Sequence, residues 1–310
     1  MRLDQELTAA IQDRETVLTI GVFDGVHRGH KRLMEHLVNR AREAGKLAGV
    51  LTFKNHPDST FRRDFKPQYI TSFQDRLRLI KECGVDFVVP VTFDEELSRL
   101  RASEFVDMLK SRLHMKGLVV GPDFAMGYKR EGTVKTLSQC GQEKDFFIEV
   151  VDLLEEGGVA VRSTSIRRAL ASGDLKTANS MLGRRFELAG PVVEGAKRGR
   201  TLGYPTANID IDSGMICPAN GIYATFAEFA GEEHEAATNI GTRPTFDDGE
   251  RTVEAFVLDF DGDLYGETVR LHFVKKLRDE LKFDSVDELL VRMGEDVKET
   301  RAILHSAKQA

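Results

Sequence analysis

Two histidines three residues apart, His27 and His30, stand in a turn that also holds Gly21, Phe23, Asp24, Gly25 and Gly29. On a first helical turn that spacing puts both imidazoles on one side, where they can donate to a single polyphosphate. The glycines permit the close backbone approach that a phosphate requires. A zinc site is a poor fit, because no glutamate lies between the histidines and no third ligand follows nearby. A second group lies far along the chain. Gly195, Lys197, Arg198 and Gly199 form a glycine-rich basic loop, with Thr206 and Asn208 close behind. Such a loop offers N–H groups and cations to phosphates, and the Thr206 hydroxyl and Asn208 carbonyl are hard oxygen ligands of the kind Mg2+ accepts. Glu254 is the third candidate: a carboxylate inside the mostly apolar run 253–260, and therefore either at an edge or functional.

The elements that must hold these groups follow from periodicity. Residues 17–23 read as a buried strand, and 31–44 places Leu33, Leu37, Ala41 and Ala44 at helical spacing. The turn between them then aims backbone N–H groups at an anion near the helix start. Strands are predicted at Leu47–Phe53, 85–91, 117–120 and 146–151, alternating with helices over 73–83 and 103–113, the second with Ser103 as its N-cap. This alternation implies right-handed crossovers and a parallel α/β sheet with ligands at the carboxyl ends of the strands. Two short helices, 165–170 and Leu175–Leu182, lead to a boundary at Gly183-Arg184-Arg185, so the expected domains are 1–182 and 183–310. In the second domain, short β-rich runs at Phe186–Val193, 222–229, 253–260 and 268–273 are parted by turn residues, which suits a small antiparallel barrel or sandwich. A final helix, capped by Ser285, carries Val286, Leu289, Leu290, Met293 and Val297 as an apolar stripe running on to Leu304.

The balance of residues narrows the partners. With 310 residues, 41% of them hydrophobic, the chain can bury two ordinary cores. A net charge of −6 argues against a general nucleic-acid binder, so polyanions must be met locally. Three widely spaced cysteines, Cys83, Cys140 and Cys217, suggest reduced thiols rather than a disulfide framework. No apolar run reaches the ~18 residues of a membrane span and the first residues lack a signal-peptide core, so the cytoplasm is expected. Oligomeric state is not legible.

The run Gly-Val-Phe-Asp-Gly-Val-His-Arg-Gly-His at 21–30 resembles the signature of the nucleotidyltransferase superfamily in the form found in bacterial FAD synthetases. Residues 121–127, Gly-Pro-Asp-Phe-Ala-Met-Gly, resemble that family's Gly-x-Asp-Phe-x-Phe-Gly, and 162–167, Arg-Ser-Thr-Ser-Ile-Arg, its Ser-Ser-Thr-x-Ile-Arg. The resemblance implies a Rossmann-like nucleotidyltransferase domain with ATP on Gly21, Phe23, Asp24, Gly25, His27, His30, Asp123, Ser163, Thr164 and Arg167. It puts the flavin near Asn55, Phe124 and Met126, Asn55 lying in the Phe-Lys-Asn-His-Pro segment that follows the second strand. The chain departs from the pattern at Asn55, Ala125, Met126 and Arg162. A methionine can still cover a flavin ring through its flexible, polarizable thioether.

The stretch 188–208, with its Leu-Gly-Tyr-Pro-Thr-Ala-Asn end, resembles the riboflavin kinase module, and 239–246, 253–256, 263–266 and 277–283 continue the likeness in order. It implies ATP on Gly195, Lys197, Arg198, Gly199, Thr206 and Asn208, Mg2+ on Thr206 and Asn208, and flavin contacts from Arg278 and Phe283. It makes Glu254 the base for the riboflavin 5′-hydroxyl. Together the two halves imply a bifunctional enzyme converting riboflavin to FMN and FMN to FAD with ATP. A kinase of single activity and a non-catalytic flavin sensor are the rival readings. The set Thr206, Asn208, Glu254, His27 and His30 argues against the sensor, which needs no base beside a metal-binding pair.

Overall fold

A computed structural model describes residues 2–10, 13–62, 64–195, 203–242 and 251–309. Packing divides the chain into two compact units, one of residues 1–67 and 71–162, the other of 68–70 and 163–310.

In the first unit, strands β1 (Thr16–Gly21), β2 (Leu47–Phe53), β3 (Phe87–Val91) and β4 (Met115–Val120) form a parallel sheet with one later strand, Phe147–Val150. Pairing runs in the order β3, β2, β1, β4 and then Phe147–Val150, so β1 lies where the order reverses, the place at which open α/β sheets take ligands. Side chains alternate across β1. Leu18 and Ile20 join Phe105, Leu109 and Leu118 in one core, while Val17 meets Met34, Leu37 and Ile80 in the other. A strand buried on both faces needs no polar side, which explains its near-continuous apolar run. The predicted helices appear at Arg28–Glu43, Phe73–Glu82 and Ala102–Leu113. Ser103 is not the N-cap expected of it: Arg101 holds that position, its N–H donates to the Glu104 carboxylate at 2.8 Å, and Ser103 sits inside the first turn. A helix not foreseen, Arg2–Thr8, buries Leu3 and Leu7 in the first of the two cores. Two small hairpins also belong to the unit, β5 (Ala125–Met126) with β6 (Gly132–Thr133), and Glu155–Glu156 with Val159–Ala160.

Among the described residues the second unit is a closed six-stranded antiparallel barrel with three helices. Strands Phe186–Val193, Ala207–Ile209, Gly221–Phe229, Glu232–Thr242, Arg251–Val257 and Thr268–Arg278 form it. Glu232–Thr242 was not foreseen, because its Glu-Glu-His-Glu start hides the alternation. Ala230 and Gly231 before it take φ of 51° and 82°, the left-handed pair that a tight hairpin demands. The strand expected over 253–260 ends at Val257, since Asp259 turns left-handed with φ 57°. Helices Ser163–Ser172 and Leu175–Leu182 belong to this unit. Asn179 sews the second onto the barrel, donating to Phe273 O at 2.9 Å and accepting from Phe186 N–H at 2.7 Å. Ser285 caps the last helix, Val286–Lys308, accepting from Glu288 N–H at 3.2 Å, and Leu304 packs against Ala224 and Phe226.

Candidate functional site

In the first unit the chain leaves β1 and enters helix Arg28–Glu43 through the predicted turn. His27 is its N-cap: its Nδ1 accepts from the His30 N–H at 3.3 Å. That bond fixes the neutral tautomer with the proton on Nε2, the form that donates to an anion. The two imidazoles stack with centroids 3.6 Å apart and planes 20° apart, and Phe23 meets His30 edge-on at 5.2 Å. Phe23 and Val26 hold φ of 52° and 36°, a strained arrangement for non-glycine residues that tends to persist at functional sites. It is anchored from Thr71, whose N–H donates to Asp24 Oδ1 at 3.2 Å and whose hydroxyl accepts from Gly25 N–H at 3.1 Å. Gly21 must be glycine here, since a Cβ would come within 2.9 Å of the Phe23 ring. Burial first, then the neighbouring His27 and Arg76, hold the His30 pKa well below its ordinary value, so the ring stays neutral. Its Nδ1 is shielded from solvent and has no hydrogen-bond partner among the described residues.

Beside the turn lies a cavity of about 420 Å³ lined by Ile20, Gly21, Phe53, Phe93, Phe124 and Met126 among others. Asp123 also lines it, and its carboxylate accepts from Arg162 at 2.5 Å. Asn55 is not brought to this lining. Its amide clasps the backbone of Phe93, donating to Phe93 O at 2.8 Å and accepting from Phe93 N–H at 2.9 Å, and so sets a neighbour that does line it. Arg76 sets another part of the floor. It is 1% exposed and donates to Val22 O at 2.9 Å and Phe53 O at 2.8 Å, at the ends of β1 and β2.

In the barrel, one cross-strand rung brings candidate residues into register. Asn208 pairs with Glu254, Glu254 with Asn239, Asn239 with Ile222, and Ile222 with Arg278. Val253, Ala255 and Val257 are buried, so the alternating Glu254 and Phe256 face the other side of the strand. There they line a cavity of about 320 Å³ with Thr206, Asn239, Arg278 and Phe283, walled by Leu289, Met293 and Val297 of the last helix. Arg278 is held there by Asp296, a carboxylate 3% exposed, through contacts of 2.9 and 2.6 Å. A neighbouring groove of about 410 Å³ is lined by Gly195, Thr206, Asn208, Asp261 and Asp263. Thr206 borders both spaces. Gly195 makes way for Asn208, because a Cβ there would stand 2.2 Å from the Asn208 amide. Lys197, Arg198 and Gly199 lie outside the described residues.

Residues 9–165 match the family model described as FAD synthetase, and 182–304 match that of riboflavin kinase. The bifunctional riboflavin kinase/FMN adenylyltransferase of Escherichia coli (strain K12) is 39% identical over 296 residues, covering 95% of this chain and 94% of that one. The chain belongs to the bifunctional riboflavin kinase/FMN adenylyltransferase family. The enzyme of the same name from Bacillus subtilis (strain 168) is 34% identical, covering 93% of this chain and 92% of that one. A crystal structure described as a macrolide-efflux protein from Streptococcus pneumoniae has the same fold, with a TM-score of 0.88 at 32% identity over 95% of this chain and 96% of that one. Among the described residues no helix is long and apolar enough to cross a membrane. As in the family, the N-terminal half is the FMN adenylyltransferase and the C-terminal half the riboflavin kinase.

Set against this bifunctional family, the two halves differ in how much the structure adds. In the adenylyltransferase half it joins His27, His30, Phe23, Asp24, Gly21 and Gly25 in one turn and Phe124 with Met126 in the adjoining cavity. Ser163, Thr164 and Arg167 lie on helix Ser163–Ser172 of the second unit, where Arg167 donates to Gln68 O at 2.8 Å. In the kinase half it joins Thr206, Asn208, Glu254, Arg278 and Phe283, and adds Asn239 and Asp296, which sequence reasoning left without a role. Asp296 did carry a signal, an acid flanked by Met293 and Val297 of the apolar stripe.

Proposed function

We propose that the cavity beside Glu254 holds riboflavin, the groove beside Asn208 holds ATP, and the cavity beside the histidine turn holds FMN. The observation that carries the kinase reading is Thr206, which borders both the cavity and the groove, with Asn208 and Glu254 in register beside it. Acceptor and donor substrates then meet at one rung. Glu254 takes the proton of the 5′-hydroxyl as the hydroxyl oxygen attacks the γ-phosphorus of ATP, whose bond to the bridging oxygen breaks so that ADP leaves. The crowded Asn208 amide and the Thr206 hydroxyl are a fitting donor set for Mg2+, which supplies charge neutralisation on the phosphates when bound. Lys197, Arg198 and Gly199 complete the phosphate loop by family resemblance alone.

In the other half the phosphate of FMN attacks the α-phosphorus of ATP, and pyrophosphate leaves. A phosphate monoester is largely ionised at neutral pH and needs no base. The work is positioning and charge stabilisation, done by the donors of His27 and His30. The shielded, partnerless Nδ1 of His30 supports a ligand contact there. Asp24 ties the turn, and the assignment of Asp123, Ser163, Thr164 and Arg167 to ATP rests on the family motifs. Three free cysteines and the net charge of −6 support work in the cytoplasm without nucleic acid.

Filling each cavity tests the assignment. Ala237 and Ala125 line the two flavin spaces. Ala237→Trp is expected to stop riboflavin phosphorylation only, and Ala125→Trp to stop FMN adenylylation only, as read by separating FMN from FAD over time. A folded variant with both rates at the wild-type level empties that cavity of its proposed flavin.

A further inference from the structure

The carbonyl oxygen of Asn239 is buried and has no hydrogen-bond partner among the described residues. Natural interiors seldom leave such an acceptor unmet, because it loses its water without gaining a donor. Asn239 also lines the cavity beside Glu254, on a wall whose other groups are mostly apolar or charged. Its amide nitrogen lies toward Gly241, where a Cβ would meet it at 3.6 Å and the Glu280 carboxylate at 2.6 Å. The oxygen is the end of the amide in want of a donor. Finally, Asn239 is the direct cross-strand neighbour of Glu254.

We infer that Asn239 reads the side chain of riboflavin, its carbonyl accepting a hydrogen bond from an inner ribityl hydroxyl. The inference rests on riboflavin occupying this cavity with its terminal hydroxyl at Glu254. Adjacent strands are about 4.8 Å apart, so a group one strand over from the base reaches the ribityl chain a little inward of its reacting end. The apolar walls accept the ring system and offer nothing to the inner hydroxyls, whereas an acceptor on the same rung as the base does. Asn239 is thereby a specificity-determining residue: it holds the chain in the register that delivers the terminal hydroxyl to Glu254, and it selects against flavins whose side chain lacks hydroxyls. Sites built to bond a substrate hydroxyl reject analogues without one strongly, because the buried partner is then left unpaired.

The test compares riboflavin with an analogue bearing a hydroxypentyl side chain, which keeps the terminal hydroxyl and lacks the inner ones. The wild-type enzyme is expected to prefer riboflavin in kcat/KM by about tenfold to a hundredfold. Asn239→Leu should lower kcat/KM for riboflavin by a similar factor and leave the analogue nearly unchanged, so that the preference collapses. Asn239→Ser, which retains an acceptor, should restore part of it. Equal turnover of both flavins by the wild type overturns the inference, as does a preference that survives in a folded Asn239→Leu variant at its original size. The cavity assignment fails separately: wild-type riboflavin phosphorylation by Ala237→Trp would remove the flavin from this space altogether. A blocked Ala237→Trp with an unmoved preference in Asn239→Leu would remove only Asn239.

Discussion

The two halves of this enzyme bring a nucleotide to a flavin with opposite architectures. In the parallel-sheet unit, one contiguous turn between β1 and its helix gathers the histidines, the glycines and the aspartate, with Phe23 and Val26 strained to positive φ and Asp24 and Gly25 anchored at Thr71. In the barrel, Asn208, Asn239, Glu254 and Arg278 come from four strands and meet only because the ladder is in register. The chemistry explains what each holds. A hydroxyl must lose a proton to become a nucleophile, and the barrel rung carries a carboxylate. An ionised phosphate needs only alignment and hydrogen-bond donors, which in the proposed reading the neutral histidines of the turn supply.

If that contrast is right, Glu254→Gln breaks one half alone. The substitution keeps shape and removes the proposed base, so FMN formation from riboflavin should fall ~100 to 10,000-fold while FAD formation from supplied FMN is unchanged. Both product curves can be read from one assay with either flavin as the feed. Loss of both activities in a folded variant would mean that the sites are not separate in the way the contrast requires.

Asp296→Ala should show how far the kinase cavity depends on a buried charge. It leaves Arg278, itself largely buried, without the carboxylate that grips it through two nitrogens. Breaking such a pair from one side costs about 3 kcal/mol. Denaturant unfolding should show that loss, and riboflavin KM should rise while FMN adenylylation holds. Unaltered stability and KM would reduce the pair to decoration. A smaller and opposite effect is expected from His30→Ala. One preorganised donor removed from the adenylyl site should slow FAD formation about a hundredfold and leave riboflavin phosphorylation intact.

The same contrast governs what was legible in the sequence. The turn could be read because its groups are neighbours in the chain and its strand and helix have clean periods. Glu254 could be read because an acid sits near the start of a mostly apolar run. Asn239 could not: its strand begins with a polar stretch, and its relation to Glu254 exists only in the pairing register. Arg76 gave no local sign either, since on helix Phe73–Glu82 it reads as one more surface cation, and only the packed structure turns it inward onto Val22 and Phe53. Asn55 was legible as a loop residue after the second strand, but the clasp on Phe93 depends on a segment 38 residues away. Local pattern reveals sites that are local, and register reveals the rest.

The finest test of the contrast is electrostatic, and it concerns the neutrality of His30. Its pKa is depressed well below the ordinary 6.5 by burial, then by His27 and Arg76. In the unfolded chain it recovers the ordinary value, so below pH 6.5 the unfolded state binds a proton that the folded state refuses. Stability therefore falls as the pH drops below that point, by up to about 1.4 kcal/mol for each pH unit from this one group, and the contribution is absent above it. His30→Gln removes the titration while keeping a polar side chain of similar reach. Plotted against pH, the stability of the wild type minus that of the variant should be flat above neutrality and decline below it, because acid costs the wild type alone this extra proton. Curves that stay parallel from neutrality into mild acid would mean that His30 titrates normally in the folded enzyme. The adenylyl turn would then hold a solvated, chargeable histidine, and the distinction between a site that needs only neutral donors and one that needs a base would lose its footing in the first unit.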